Sequence, residues 1–82
     1  MSLTPTEEAI AEIWTELFGV TEVGSEDDFF AFGGNSLTAI KFLARVEERF
    51  GVDALLPETL YEDARVASLA KAIDQATASA TT

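Results

Sequence analysis

The chain has 82 residues with no cysteine and no histidine, and 15 acidic against five basic side chains give it a formal net charge of −10. That length supports one small domain, with roughly two thirds of the surface of the unfolded chain covered on folding. The composition excludes a disulfide framework, a thiol nucleophile, cysteine-ligated zinc and a histidine general base, and the charge opposes binding to nucleic acid or to anionic membranes.

Self-contained catalysis is therefore not expected, and neither a catalytic residue nor a metal site is assigned. No apolar run approaches the ~20 residues of a membrane span, and the N-terminus lacks a basic, then apolar, signal region. A cytoplasmic monomer is the expectation.

The first predicted element starts at Thr4-Pro5-Thr6-Glu7. Thr4 is placed as N-cap, proline at the first helical position and glutamate at N3, which closes a capping box. Ile10, Ile13, Trp14, Leu17 and Phe18 then fall on one helical stripe, with Glu8, Glu12 and Glu16 opposite, and Gly19 stops the helix. On such a stripe Trp14 reads as core rather than as a ligand-stacking residue. Eight acids, from Glu7 to Asp28, precede the first base, Lys41, and read as a solvated face.

Val20 to Asn35 shows no sustained period, and a connection of that length in a small domain is expected to be functional or well tied down. Val20 and Val23 read as anchors, Ser25-Glu26-Asp27-Asp28 as the start of one helical turn, and Phe29, Phe30 and Phe32 as the residues that pin the loop. Its acids lack the ligand order, central glycine and final glutamate of a calcium-binding loop. Gly33-Gly34-Asn35-Ser36-Leu37 follows as a turn into a helix. Ser36 has two readings there: a helix N-cap, or a hydroxyl held out for modification.

The second helix is predicted from Ser36 to about Phe50, with Gly51 as its stop. Ile40, Leu43, Val46 and Phe50 follow the spacing of a core face, with Phe42 beside them and Leu37 left exposed at the mouth. Lys41, Arg45 and Arg49 form a basic stripe at i, i+4 and i+8. It serves either local pairing, such as Arg45 with Glu48, or docking. A short helix with Pro57 near its first turn is expected within residues 53–62. Asp63 is placed as the cap of a last helix carrying Val66, Leu69, Ala70 and Ile73 inward, and the small residues after Gln75 read as a flexible tail or linker. No stretch alternates long enough to argue for a sheet.

The stretch from Asp28 to Leu37 resembles the phosphopantetheine attachment signature of carrier proteins. Its Gly33-Gly34-Asn35-Ser36-Leu37 form is similar to the peptidyl carrier, or thiolation, domains of nonribosomal peptide synthetases. The Thr-Pro-Thr-Glu-Glu opening with Ile13-Trp14, the Asp28-Phe29-Phe30 lead-in, Arg45 to Phe50, and Leu69-Ala70 extend the resemblance over nearly the whole chain. Fatty-acid-type carriers usually have aspartate before the serine and an acidic second helix, whereas Asn35 and the Lys41/Arg45/Arg49 stripe stand here. At Asp63-Ala64-Arg65 the chain departs from the proline and capping threonine that the family often has.

The resemblance implies an all-α four-helix bundle of the acyl carrier protein type, with three longer helices, one short one and a long loop between the first two. It implies one carrier domain over residues 1–82, with a core of about 4–76 and a tail at 77–82. It further implies that a phosphopantetheinyl transferase attaches 4′-phosphopantetheine from coenzyme A to Ser36, whose thiol then carries aminoacyl or peptidyl groups. In this reading Gly33 and Gly34 set the turn and leave room for the transferase. Leu37, Ile40, Lys41 and Arg45 would dock that transferase and then adenylation, condensation, tailoring or thioesterase enzymes. An acyl or aryl carrier of a polyketide or hybrid pathway, and a non-covalent helical adaptor, are the alternatives.

Overall fold

A computed structural model describes residues 3–80, with side chains through Ala78. Four helices follow in order: α1 Pro5–Phe18, α2 Ser36–Phe50, α3 Pro57–Glu62 and α4 Val66–Ala80. Among the described residues there is no strand, only an isolated antiparallel bridge between Asp28 and Arg65.

The start of α1 follows local chemistry. Thr4 accepts a hydrogen bond from the Glu7 amide (3.1 Å), and the Glu7 carboxylate accepts one from the Thr4 amide (2.8 Å). Gly19 closes the helix at φ 69°, a left-handed angle suited to glycine, and donates to the Thr15 carbonyl at 3.0 Å. Ile10, Ile13 and Trp14 are buried, with Leu17 and Phe18 partly buried against them. With this stripe α1 packs on both α4 and α2. Trp14 is fully enclosed, edge-on to Phe18, Phe29, Phe32 and Phe42 at 5.6–6.1 Å. Its indole N–H has no hydrogen-bond partner among the described residues, a cost of about 1–3 kcal/mol, against about 4–6 kcal/mol gained by burying the ring.

The inward face of α2 differs from the predicted one. Ala39, Phe42 and Val46 are buried, Leu43 and Phe50 are partly buried, and Ile40 is 65% exposed. Ile40 satisfies the helical spacing to Leu43, but Phe42 is the side chain that stacks on Phe29 (5.4 Å between ring centres). Burying that ring rotates α2 so that small Ala39 faces inward and Ile40 outward.

The long connection is tied down by backbone and ring contacts together. The Val66 amide donates to the Asp27 carbonyl (3.0 Å) and the Ala67 amide to the Ser25 carbonyl (2.8 Å), so loop carbonyls satisfy donors at the start of α4. On the same edge the Phe29 amide donates to the Ala64 carbonyl at 3.0 Å. Phe29 is fully buried, while Phe30 and Phe32 are partly so, Phe30 stacking on Tyr61 at 5.5 Å. Ser25-Glu26 forms a turn, closed by the Asp27 amide on the Gly24 carbonyl (3.2 Å), rather than a helical turn.

Two expectations at the last helix are corrected. Asp63 closes α3 by donating its amide to the Thr59 carbonyl (3.2 Å), and α4 starts only at Val66. It still braces that start, because its carboxylate accepts from Ser68 Oγ (2.8 Å) and from the Arg65 guanidinium (2.8 and 3.1 Å). Arg65 also reaches Glu26 in the long loop at 3.3 Å. The second correction is that α4 continues past Gln75 to Ala80, where composition pointed to a tail. Thr77 Oγ1 donates to the Ile73 carbonyl at 2.9 Å within it. Small residues carry little helix-breaking character, and a nucleated helix extends through them at low cost. Met1, Ser2, Thr81 and Thr82, which the flanking expectations included, lie outside the described residues.

Hydrogen bonds from Arg65 and Ser68 hold the Asp63 carboxyl well below the usual carboxylate range. A lowered pKa in the folded state stabilises the fold above the unfolded-state value of about 4, and the benefit is lost as pH falls below it. Asp63→Asn is therefore expected to melt below wild type at pH 7 and pH 5, with the gap narrowing at pH 3. Paired thermal melts at the three values check this; a gap that is equal throughout would remove the carboxylate as its source.

Candidate functional site

The site is the junction between the anchored loop and α2. Asp28 accepts from the amides of Phe30 (2.8 Å) and Ala31 (3.2 Å), which folds the aromatic run into a turn. The next amides turn back onto it, Gly33 to the Phe30 carbonyl and Gly34 to the Phe29 carbonyl, both at 3.1 Å. Gly33 has φ +96°, where a side chain is strained. Gly34 serves contact rather than access: a Cβ there would lie 2.5 Å from two ring carbons of Phe29 and 2.7 Å from its carbonyl oxygen.

Asn35, not Ser36, caps α2. Its backbone is extended (φ −140°), and its side-chain oxygen accepts from the Thr38 amide at 3.0 Å and the Thr38 hydroxyl at 3.1 Å. Ser36 is thereby moved to the first helical position, exposed, and its hydroxyl has no hydrogen-bond partner among the described residues. The sequence signal was an asparagine three residues before a threonine, which the more conspicuous serine masked. Asn35→Ala is expected to cost about 1 kcal/mol, read as a shift of the urea midpoint.

The first turn of α2 contains no acidic residue. An anion on Ser36 Oγ would therefore meet free helix N–H groups and the positive end of the dipole, with no carboxylate on that turn to oppose it. The residues fit a phosphate ester at this position.

The predicted docking residues are brought together in part. Leu37 and Ile40 are 63% and 65% exposed on α2. Lys41 is exposed, and among the described residues no carboxylate lies within 4.0 Å of it. Arg45 and Arg49 do not pair along their own helix: Arg45 bonds Glu16, and Arg49 bonds Glu12 at 3.0 Å, both across to α1. Helical spacing within α2 pointed to Glu48 as the partner of Arg45, because the approach of α1 is invisible to a local pattern.

The profile of the family described as phosphopantetheine attachment site matches residues 8–73. The fold overlays the solution structure of PCP, a prototype for the peptidyl carrier domains of modular peptide synthetases. There the TM-score is 0.74 and the identity 32%, covering 88% of this chain and 93% of that one. The chain belongs to the peptidyl carrier family.

Other carriers of the same kind surround it. The overlay on the structure of the phosphopantetheine transferase Sfp in complex with coenzyme A and a peptidyl carrier protein reaches a TM-score of 0.84 at 30% identity, covering 90% of this chain and 95% of that one. Among sequences, this carrier domain is 42% identical over 71 residues to phosphinothricin tripeptide synthetase PhsC of Streptomyces viridochromogenes, using 87% of this chain and 6% of that protein. It is 47% identical over 68 residues to a linear gramicidin synthase of Brevibacillus parabrevis, using 83% of this chain and 1% of the synthase. The carrier domain thus spans only a small fraction of the length of either synthetase.

Proposed function

We propose that this domain carries aminoacyl or peptidyl groups as thioesters on a phosphopantetheine arm attached to Ser36, and passes them between the enzymes of a nonribosomal peptide synthetase. The observation that carries the reading is the exposed Ser36 hydroxyl at the first position of α2, inside the region matched by the attachment family.

In the attachment step Ser36 Oγ forms an ester bond to the phosphorus that bears the pantetheine. The anhydride bond of coenzyme A breaks, and adenosine 3′,5′-bisphosphate leaves with its electron pair. The hydroxyl proton passes to a base of the transferase, since the chain has no histidine or cysteine of its own. The arm, when attached, supplies the thiol that holds the cargo. The chain's own part is to fix Ser36 on a rigid helix start and to favour the negative phosphodiester through the helix N-terminus. Exposed Leu37 and Ile40, with Lys41 and Arg45 beside them, support this face as the landing surface for the transferase and then for adenylation, condensation, tailoring or thioesterase partners. Coenzyme A as the donor supports a cytoplasmic setting for these events.

The test is incubation with coenzyme A and a broad-specificity phosphopantetheinyl transferase, followed by intact-mass measurement and fragmentation. The expected result is the mass of one phosphopantetheinyl group, located on Ser36. No gain, or a gain located elsewhere, would sink the assignment.

A further inference from the structure

The basic stripe of α2 is answered from α1, and the answer is incomplete. Arg45 is held by Glu16, Arg49 by Glu12, and Lys41 by no carboxylate among the described residues. Between the two helices lies an open groove lined by Glu16, Leu17, Thr38, Lys41, Ala44 and Arg45. Lys41 is the residue after Ile40 and one helical turn beyond Leu37, so a protein that covers those two apolar side chains also removes water from around Lys41. An ammonium desolvated without a partner is costly, and no carboxylate among the described residues reaches it. The missing anion has to come from the partner.

Resting on the reading of Ser36 above, we infer that a partner enzyme docks with an aspartate or glutamate side chain in the α1–α2 groove, against Lys41 and within reach of Arg45. Glu16 is then an internal competitor that lowers docking by holding Arg45. The ion pair is half exposed at its arginine, with side-chain accessibilities of 47% and 63% for Arg45 and Glu16. Such pairs contribute little to stability and exchange partners readily. Glu16 therefore acts on partner choice rather than on the fold, although it lies outside α2.

The transferase is the probe, because every later partner needs its product. Its kcat/KM for modification is measured at low salt and at about 0.5 M salt, where exposed charges are screened. Glu16→Gln is expected to raise kcat/KM by about threefold at low salt, and Lys41→Gln to lower it by a similar factor. Both effects should shrink at high salt. The gain should vanish in Glu16→Gln/Arg45→Gln. Glu22→Gln on the loop and Lys71→Gln on α4, which make the same changes in net charge, should leave the rate at the wild-type value. Overturning results are an unchanged or slower Glu16→Gln, a gain that survives loss of Arg45, or equal effects from the Glu22 and Lys71 controls, which would reduce the behaviour to overall charge. Complete modification of every variant at long times keeps the Ser36 reading intact whatever the rates. Absence of any mass gain in wild type removes that reading, and this inference with it.

Discussion

Ser36→Ala is expected to gain no mass from coenzyme A and the transferase while unfolding within about 0.5 kcal/mol of wild type. The two halves of that expectation come from the same geometry. The hydroxyl bonds to no described residue and the side chain is exposed, so its removal breaks no contact. The capping hydrogen bond belongs to Asn35, and alanine is the best helix former at the position that follows. Loss of the attachment oxygen removes the nucleophile, and the other hydroxyl of that turn, on Thr38, is committed to the Asn35 side chain. Intact mass and urea unfolding of the same sample test both. A modified Ser36→Ala would transfer the attachment to another hydroxyl, and a large loss of stability would return Ser36 to a capping role.

Gly34→Ala is expected to carry the largest stability cost, about 3 kcal/mol, through overpacking. The new methyl would sit 2.5 Å from the Phe29 ring and 2.7 Å from its carbonyl oxygen, both inside van der Waals contact. Phe29 has nowhere to go. Its ring stacks on Phe42 and meets Trp14 and Phe18 edge-on at 5.6 and 5.2 Å, and its amide is bonded to the Ala64 carbonyl. A well-packed core transmits such a displacement instead of absorbing it. Gly33→Ala meets open space and suffers only its positive φ, at about 1–2 kcal/mol. Phe29→Leu should relieve part of the Gly34→Ala clash, so the double variant should cost less than the sum of the singles. Denaturant unfolding of wild type and the four variants measures this; Gly34→Ala within error of Gly33→Ala would show that Phe29 is free to move.

Local rules made much of this domain legible from its sequence. The capping box at Thr4, the stop at Gly19, the stripe on α1 and the start of α3 at Pro57 each depend on residues within one or two helical turns. The exposure of Leu37 and the anchoring of the loop by Phe29 were also readable, since an aromatic run beside glycines has few places to go. The carrier family followed from an ordered set of motifs, and the profile match over residues 8–73 bears it out. The failures divide between local signals and tertiary ones. Ile40 turned outward instead of inward, Asn35 took the cap from Ser36, Arg45 found Glu16 instead of Glu48, and α4 ran on to Ala80. The outward turn of Ile40 and the pairing of Arg45 depend on which neighbour approaches α2 and at what rotation, the cap at Asn35 is a local bond to Thr38 that the serine beside it masked, and the length of α4 reflects a helix already nucleated by packing upstream.

The sequence by itself determined four helices, both ends of α1, the stop of α2 at Gly51, the glycine turn and the serine beyond it. Tertiary structure decided which face of α2 is turned outward, because seating Phe42 on Phe29 beneath Trp14 admits only one rotation of that helix. That rotation exposes Ile40 with Leu37, brings Arg45 to Glu16, and leaves Lys41 without a partner among the described residues. Helical spacing is the same for every rotation of a helix about its axis; only the bulk of the aromatic core distinguishes them.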